Sequence, residues 1–188
     1  MPIARKVVRM TNEQKSISLR FPVLEHGAEA LVQGYLMRRN ILTYQAPRKN
    51  EGYDLICIHP DPRKKVRPIR VQVKSRYQTD CDRSIIVPRK SRGAFDFVVA
   101  VFLNVGHFYK AGEAKCEPEF FTLPAAWIEQ HRNKRSTWGK LSLRQLGIDR
   151  FKNDEGFDLI ANKLKVPYPA RPRDSRGRVD EPKRMIDS

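Results

Sequence analysis

The chain has 188 residues and a formal net charge of +16, with 37 Lys or Arg residues against 21 Asp or Glu residues. This length fits one domain with a substantial core and leaves little room for two full domains. The charge excess is larger than solubility needs and favours a polyanionic partner, with nucleic acid as the leading candidate. No apolar run is long enough to span a bilayer and no basic amphipathic surface helix is present, so we expect no membrane partner.

The chain ends and the cysteines indicate the cellular compartment and the limits of the folded domain. No apolar segment follows Met1 as it would in a secretory signal, so we expect an intracellular, cytoplasmic protein. Residues 1–20 are predicted to be a basic N-terminal arm, 21–166 the folded domain, and 167–188 a disordered basic tail. The three cysteines, at positions 57, 81 and 116, are too far apart for a disulfide framework or a zinc motif and are interpreted as reduced thiols.

The first patterned element is a helix from Leu24 to about Arg39, whose apolar residues recur at steps of three and four. A short extended segment, 41–44, follows it. Two strands, 52–58 and 69–75, flank the charged and proline-containing segment 59–65. This arrangement predicts a β-hairpin.

The second half of the chain is predicted to complete the sheet. The nearly continuous apolar run 95–103 is typical of a strand buried on both faces. Further strands are predicted at 84–87, 108–109 and 119–123, with helices at 125–132, started by Pro124, and at 154–164. Together these elements predict an α/β fold with a mixed central β-sheet flanked by helices.

The hairpin carries the residues of greatest chemical interest. Side chains alternate along a strand, so Arg70, Gln72 and Lys74 project to one face of the second strand. The hairpin places Asp54 beside Gln72 and Lys74. Carboxylate and amide oxygens can bind Mg²⁺, and an ammonium group can assist a metal-activated water. The pattern therefore suggests phosphodiester cleavage.

Glu29 on a helix, Asp54 entering a strand and Gln72-Val73-Lys74 on the next strand resemble the PD-(D/E)XK, or restriction-endonuclease-like, nuclease superfamily. The resemblance covers about residues 24–132 and is greatest to the branch with small intron-encoded homing endonucleases, where Q-x-K replaces E-x-K. It implies that 21–166 is a nuclease-like domain with a restriction-endonuclease-like core. It also implies an endonuclease that hydrolyses DNA, most often double-stranded, with Mg²⁺ as cofactor and Mn²⁺ as substitute.

The resemblance implies a role for each of these residues. Asp54 is expected to bind the metal directly, Gln72 through its side-chain oxygen, Val73 through its backbone carbonyl, and Glu29 directly or through water. Lys74 is expected to position or help deprotonate the attacking water, so the catalytic set is Lys74, Glu29, Asp54 and Gln72. Many members have a carboxylate where Gln72 stands, and the missing negative charge weakens the attraction for a divalent ion.

Each of these residues also has a structural interpretation. Asp54 can cap a strand entry, Lys74 can be a solvated edge-strand lysine, and Gln72 can lie on an open polar face. Glu29 can be a solvated residue on the helix flank, with Glu25 as the alternative acidic residue one turn earlier. Two further functions remain open, namely a nucleic-acid-binding module whose metal site is too weak for catalysis and a basic RNA-associated protein.

Basic residues form three clusters that we expect to contact phosphates. Cleavage of both strands needs two active sites or two visits, so a homo-oligomer, either a dimer or a tetramer, is compatible with the function, as in some relatives. The clusters comprise Arg63, Lys64, Lys65, Arg67, Arg70 and Arg76; Arg89, Lys90 and Arg92; and Arg132, Lys134, Arg135 and Lys140.

Overall fold

The computed structural model describes residues 22–47, 50–88, 91, 93–106, 117–133, 139–144 and 147–167. The described helices are α1 (Pro22–Arg38), α2 (Ala125–His131) and α3 (Asn153–Leu164), with a 3-10 helix at Ile148–Phe151. The described strands are β1 (Leu42–Gln45), β2 (Leu55–Ile58), β3 (Ile69–Arg76), β4 (Ser84–Ile86), β5 (Phe97–Phe102), β6 (Glu119–Pro124) and β7 (Lys140–Ser142). The predicted arm 1–20, the predicted strand 108–109 and the tail beyond residue 167 lie outside the described residues.

Five strands form one mixed sheet in the order β1, β2, β3, β5, β6. β3 and β5 run parallel, and the other neighbouring strands run antiparallel. β2 and β3 are the hairpin that the sequence predicts, with Leu55 opposite Val71 and Cys57 opposite Ile69. The expected fold class, a mixed sheet flanked by helices, is confirmed.

The sheet has an apolar core on each face. On the first face, α1 and α3 pack against side chains such as Val71 and Val73 of β3. On the second face, α2 packs through Trp127 and Ile128. All six residues of β5 are buried, as its apolar run predicts.

β4 and β7 pair antiparallel as a separate two-stranded ribbon. Its inward residues, Ile85 and Leu141, are buried in the core of the second face. Alternation places the Gln72 side chain on this second face. The interpretation of Gln72 as a residue on an open polar face is wrong, because Gln72 is only 4% exposed. The pairing with β7 covers this face, and the sequence pattern of three residues does not predict it.

Some element boundaries differ from the predicted ones for local reasons. α1 begins at Pro22, two residues before the predicted start. Pro124 ends β6 and precedes α2 rather than lying in its first turn, because the Ala125 N–H donates to the Asp96 carbonyl oxygen at 3.0 Å. Among the described residues, no helix has the length and apolar character needed to cross a membrane.

Candidate active site

The backbone of Asp54 is held between two strands, one residue before β2 begins. Its N–H donates to the Val71 carbonyl oxygen at 2.9 Å, and its own carbonyl oxygen accepts from the Ala46 N–H at 2.8 Å. Gly52, with φ at +98°, brings the preceding loop so close to Ala94 that a Cβ on Gly52 would lie 2.3 Å from the Ala94 Cβ. Only glycine fits there, and the close approach fixes the loop that delivers Asp54.

The Asp54 carboxylate lies at the edge of β3, just before the first residue of β2. Its Oδ2 accepts a hydrogen bond from the Val73 N–H at 2.6 Å. The Val71 carbonyl also points to this side, and the N–H and carbonyl of one strand residue share a direction, so the Val73 carbonyl points to the same edge. A carboxylate and a backbone carbonyl are therefore neighbours where the two strands separate.

Gln72 lies in sequence between Val71 and Val73, the two β3 residues that Asp54 contacts through its N–H and its carboxylate. Alternation directs the Gln72 side chain to the second face of the sheet. The Gln72 Oε1 is buried and has no hydrogen-bond partner in the structure. A buried acceptor without a donor costs about 1 to 3 kcal/mol, so a bound cation or water at this position would relieve a real penalty.

Lys74 lies on the same face of β3, two residues beyond Gln72. It is half-buried and stands opposite Ala100 of the parallel strand β5. No ion pair joins Lys74 to a carboxylate among the described residues, whereas its neighbour Arg70 has such a pair. Its ammonium group is therefore not neutralised by the described acidic side chains.

Glu29 approaches from α1, which packs on the first face of the sheet. Burial raises the pKa of Glu29 above its usual range, and the negative charge of Asp54 raises it further. His26, whose Nδ1 lies 3.6 Å from the Glu29 Oε2, acts in the opposite direction. Because the charge of Asp54 acts on Glu29, the two carboxylates share an electrostatic environment.

The sequence did not predict His26 as a neighbour of the Glu29 carboxylate. Its spacing of three residues from Glu29 on a helix is the signal that predicts their contact.

The donor set can be compared with what different metals require. Within the described part of the chain, no three His, Cys, Asp or Glu side chains come close enough to hold a metal together. The residues predicted for the site, Asp54, Glu29, Gln72 and Val73, would instead offer two carboxylates, one amide oxygen and one backbone carbonyl, all of them hard oxygen donors. Mg²⁺ is bound in proteins by one or two carboxylates with water and phosphate oxygens, so these residues fit it.

The first basic cluster is partly engaged within the protein. Asp96 accepts hydrogen bonds from the Arg67 Nη2 at 2.6 Å, the Arg70 N–H at 2.9 Å and the Arg70 Nε at 3.5 Å. The sequence did not predict this role of Asp96. The signal for it is an acidic residue directly before a buried strand whose neighbouring strand carries basic residues. Arg63 pairs with Asp61 at 2.8 Å on the exposed hairpin turn.

The remaining predicted phosphate contacts are distributed over several surfaces. Lys64 and Lys65 are exposed on the hairpin turn, and the Arg76 Nε donates to the Ser84 carbonyl oxygen at 3.0 Å. Arg132 pairs with Glu129 at 2.7 Å, and Lys140 pairs with Asp82 at 2.6 Å. The predicted contacts Arg89, Lys90, Arg92, Lys134 and Arg135 lie outside the described residues.

Comparisons with known proteins bear on the fold. No protein-family model matches the chain, and no curated protein matches its sequence significantly. Among solved structures, it is similar to "a bacterial homing endonuclease: I-Ssp6803I", with a TM-score of 0.50 and 16% sequence identity. The match covers 78% of this chain and 96% of the other. At this identity the likeness shows that the two proteins share a fold.

Proposed function

We propose that this chain is a metal-dependent endonuclease that hydrolyses phosphodiester bonds of double-stranded DNA. Its main support is the edge of β3 where the Asp54 carboxylate contacts the Val73 N–H, together with the buried and unpartnered oxygen of the preceding residue, Gln72. The shared fold with a bacterial homing endonuclease and the net charge of +16 add to this support.

Asp54, Gln72, the Val73 carbonyl and Glu29 are the residues that would hold Mg²⁺ or Mn²⁺. A bound Mg²⁺ polarises the phosphate and makes water a stronger nucleophile at neutral pH. Asp54 already has one oxygen fixed by the Val73 N–H, so its carboxylate is oriented before any ligand arrives. Glu29 and Asp54 repel each other, and a cation between or beside them would remove that repulsion.

Lys74 supplies the positive charge on the substrate side. An ammonium group without a carboxylate partner can bind a nonbridging phosphate oxygen and stabilise the charge that develops in the transition state. It can also orient the attacking water by hydrogen bonding. Water attacks the phosphorus directly in this scheme, so the chain needs no covalent intermediate.

The neutral side chain of Gln72 favours a second candidate function. A site with two carboxylates attracts a divalent ion less strongly than a site with three. A nucleic-acid-binding module with the same fold and a metal site too weak for catalysis would have the same residues.

A plasmid-cleavage assay separates the two functions. Supercoiled plasmid is incubated with the wild type, with Lys74→Ala and with Lys163→Ala, an exposed lysine of α3 that serves as the control. We expect Mg²⁺-dependent nicking or linearisation that EDTA stops, that Lys74→Ala loses and that Lys163→Ala retains. A mobility-shift assay should show similar DNA binding for all three proteins. Binding without cleavage in Mg²⁺ and in Mn²⁺ would favour the binding module, and cleavage by Lys74→Ala at the wild-type rate would contradict the role of Lys74.

A further inference from the structure

The chain segments that contain the ribbon of β4 and β7 have an unusual charge composition. Segments 83–95 and 130–148 together hold nine Lys or Arg residues and no Asp or Glu, in a chain with 21 acidic residues. They account for more than half of the net charge of +16. Three of the nine are paired with carboxylates outside these segments, Arg83 with Glu119, Arg132 with Glu129 and Lys140 with Asp82. The pairing of β4 with β7 thus joins two segments that are distant in sequence and whose composition is complementary to a polyanion.

The ribbon lies beside the candidate active site. Its buried residues Ile85 and Leu141 pack on the second face of the sheet, the face that carries Gln72 and Lys74. Arg76, on the same side of β3 as Lys74, joins β3 to the ribbon through its hydrogen bond to the Ser84 carbonyl oxygen at 3.0 Å. Arg76 lies two residues beyond Lys74 on β3, and two strand residues span about 7 Å. This distance corresponds to about two base pairs along the axis of a DNA duplex.

The outward face of the ribbon combines an apolar side chain with cations. Ile86 is 41% exposed and stands opposite Lys140, whose side chain is 56% exposed. Ser142 is exposed farther along the same strand, and Arg144 is exposed just after it. The Asp82 carboxylate accepts a hydrogen bond from the Ser84 hydroxyl at 2.9 Å and pairs with Lys140 at 2.6 Å, which fixes the edge of the ribbon.

We propose that this ribbon enters the major groove of duplex DNA next to the scissile phosphate and helps to select the sequence that is cleaved. The major groove is about 12 Å wide and admits a two-stranded ribbon. Lys140 and Arg144 contact backbone phosphates, whereas Ile86 and Ser142 face the base edges, where an apolar side chain can contact a thymine methyl group and a hydroxyl can hydrogen-bond. This role rests on the proposed function, since it assigns the DNA contact of the same enzyme.

Photocrosslinking tests the contact without requiring cleavage. The full chain is prepared with p-benzoylphenylalanine in place of Ile86 or, as a control, in place of Tyr44, an exposed residue of the edge strand β1. Each protein is irradiated with duplex DNA of random sequence in EDTA. We expect efficient crosslinking from position 86 and little from position 44. DNA binding without crosslinking from position 86, or equal crosslinking from both positions, would overturn the ribbon contact and leave the proposed nuclease intact.

The salt dependence of DNA binding measures the number of phosphate contacts independently of the crosslinking experiment. Replacing both Lys140 and Arg144 with glutamine should lower the slope of log K against log salt concentration by about 1.8, because each lost phosphate contact removes about 0.9. The control with Lys163→Gln and Lys165→Gln at the end of α3 should keep the wild-type slope. An unchanged slope for the ribbon variant would contradict the phosphate contacts. A wild-type protein that binds no DNA at all would overturn the proposed function together with the ribbon contact.

Discussion

Two polar clusters in this molecule are built in opposite ways. At the end of α1, Arg39 is only 2% exposed, and its guanidinium group donates to Asp154 Oδ1 at 2.7 Å and to Asp158 Oδ1 at 3.0 Å. It also donates to the Asp154 carbonyl oxygen at 3.0 Å and lies 5.4 Å from the centre of the Phe157 ring. This buried cation ties α1 to α3 and is well supplied with acceptors.

The candidate active site lacks such compensation. The Gln72 oxygen has no donor, the pKa of Glu29 is raised by burial and by Asp54, and Lys74 has no carboxylate partner among the described residues. Polar groups that serve the fold are normally satisfied inside it, whereas groups kept for a ligand are satisfied only when the ligand binds. The contrast supports the proposed functional role of the edge of β3 and a structural role for Arg39.

The largest expected effect is on cleavage. Asp54→Asn should reduce the rate about 10³-fold, because it removes the charge that holds the metal while its amide oxygen still accepts from the Val73 N–H. Plasmid-cleavage rates measure the expected loss of activity, and melting temperatures measured on the same preparations show whether the fold is retained. Asp61→Asn on the hairpin turn is the control and should cleave normally. A loss of folding that matches the loss of cleavage would mean that Asp54 is a structural residue.

The opposite outcome is expected at the other cluster. Arg39→Met keeps the apolar stem but loses the charged hydrogen bonds, which should lower the free energy of unfolding by about 2 to 3 kcal/mol. Urea denaturation measures this change, and cleavage per folded molecule should be unaltered. Arg63→Met breaks an exposed pair with Asp61 and should leave the free energy of unfolding nearly unchanged, because solvent screens that pair. Equal effects of the two variants would remove the distinction between buried and exposed ion pairs.

Local patterning in the sequence was sufficient to predict most elements that position the site. The apolar steps of α1, the β2 to β3 hairpin and the continuous apolar run of β5 are all present in the structure. The Lys140 to Ser142 strand was not predicted, because three residues are too few for an alternation pattern and the partner strand lies far away in sequence.

The site was less predictable than the fold. Residue types and spacing suggested Asp54, Gln72 and Lys74, and alternation put Gln72 and Lys74 on one face. The sequence did not predict the burial of Gln72, because the second face is covered by long-range packing of the ribbon and α2. Arg39 could have been anticipated, since a cation four residues after Tyr35 on the buried stripe of a helix needs a partner inside the protein.

A stability experiment tests the repulsion between the two carboxylates. Because the folded state raises the pKa of Glu29, it binds the proton more tightly than the unfolded chain does, and ionised Glu29 destabilises the fold. Glu29→Gln should therefore raise the melting temperature at neutral pH without metal. The gain should shrink as the pH falls through the raised pKa toward the ordinary value of 4.5, below which both states are protonated.

Glu25→Gln is the matched control on the same helix and should leave the melting temperature nearly unchanged. A decrease in stability for Glu29→Gln at neutral pH would show that Glu29 makes a stabilising contact, which would argue against its assignment to the metal site.

A smaller effect is expected from restoring the charge that Gln72 lacks. Gln72→Glu should tighten Mn²⁺ binding to the free protein, provided that the new carboxylate does not pair with Lys74. Calorimetric titration of Mn²⁺ into the two proteins measures the difference, and Gln130→Glu at an exposed position of α2 is the control for added charge alone. Equal affinities of the wild type and Gln72→Glu would indicate that Gln72 is not a ligand.

The most direct measurement is Mn²⁺ titration with and without duplex DNA, in a Lys74→Ala background that leaves the DNA intact. If the unsatisfied groups at the edge of β3 await a metal and a phosphate together, Mn²⁺ should bind weakly to the free protein and about tenfold or more tightly to the complex. Adding Asp54→Asn should abolish the tight binding. Equal affinity with and without DNA, or tight binding that survives Asp54→Asn, would contradict a metal site formed jointly by these residues and the DNA phosphate.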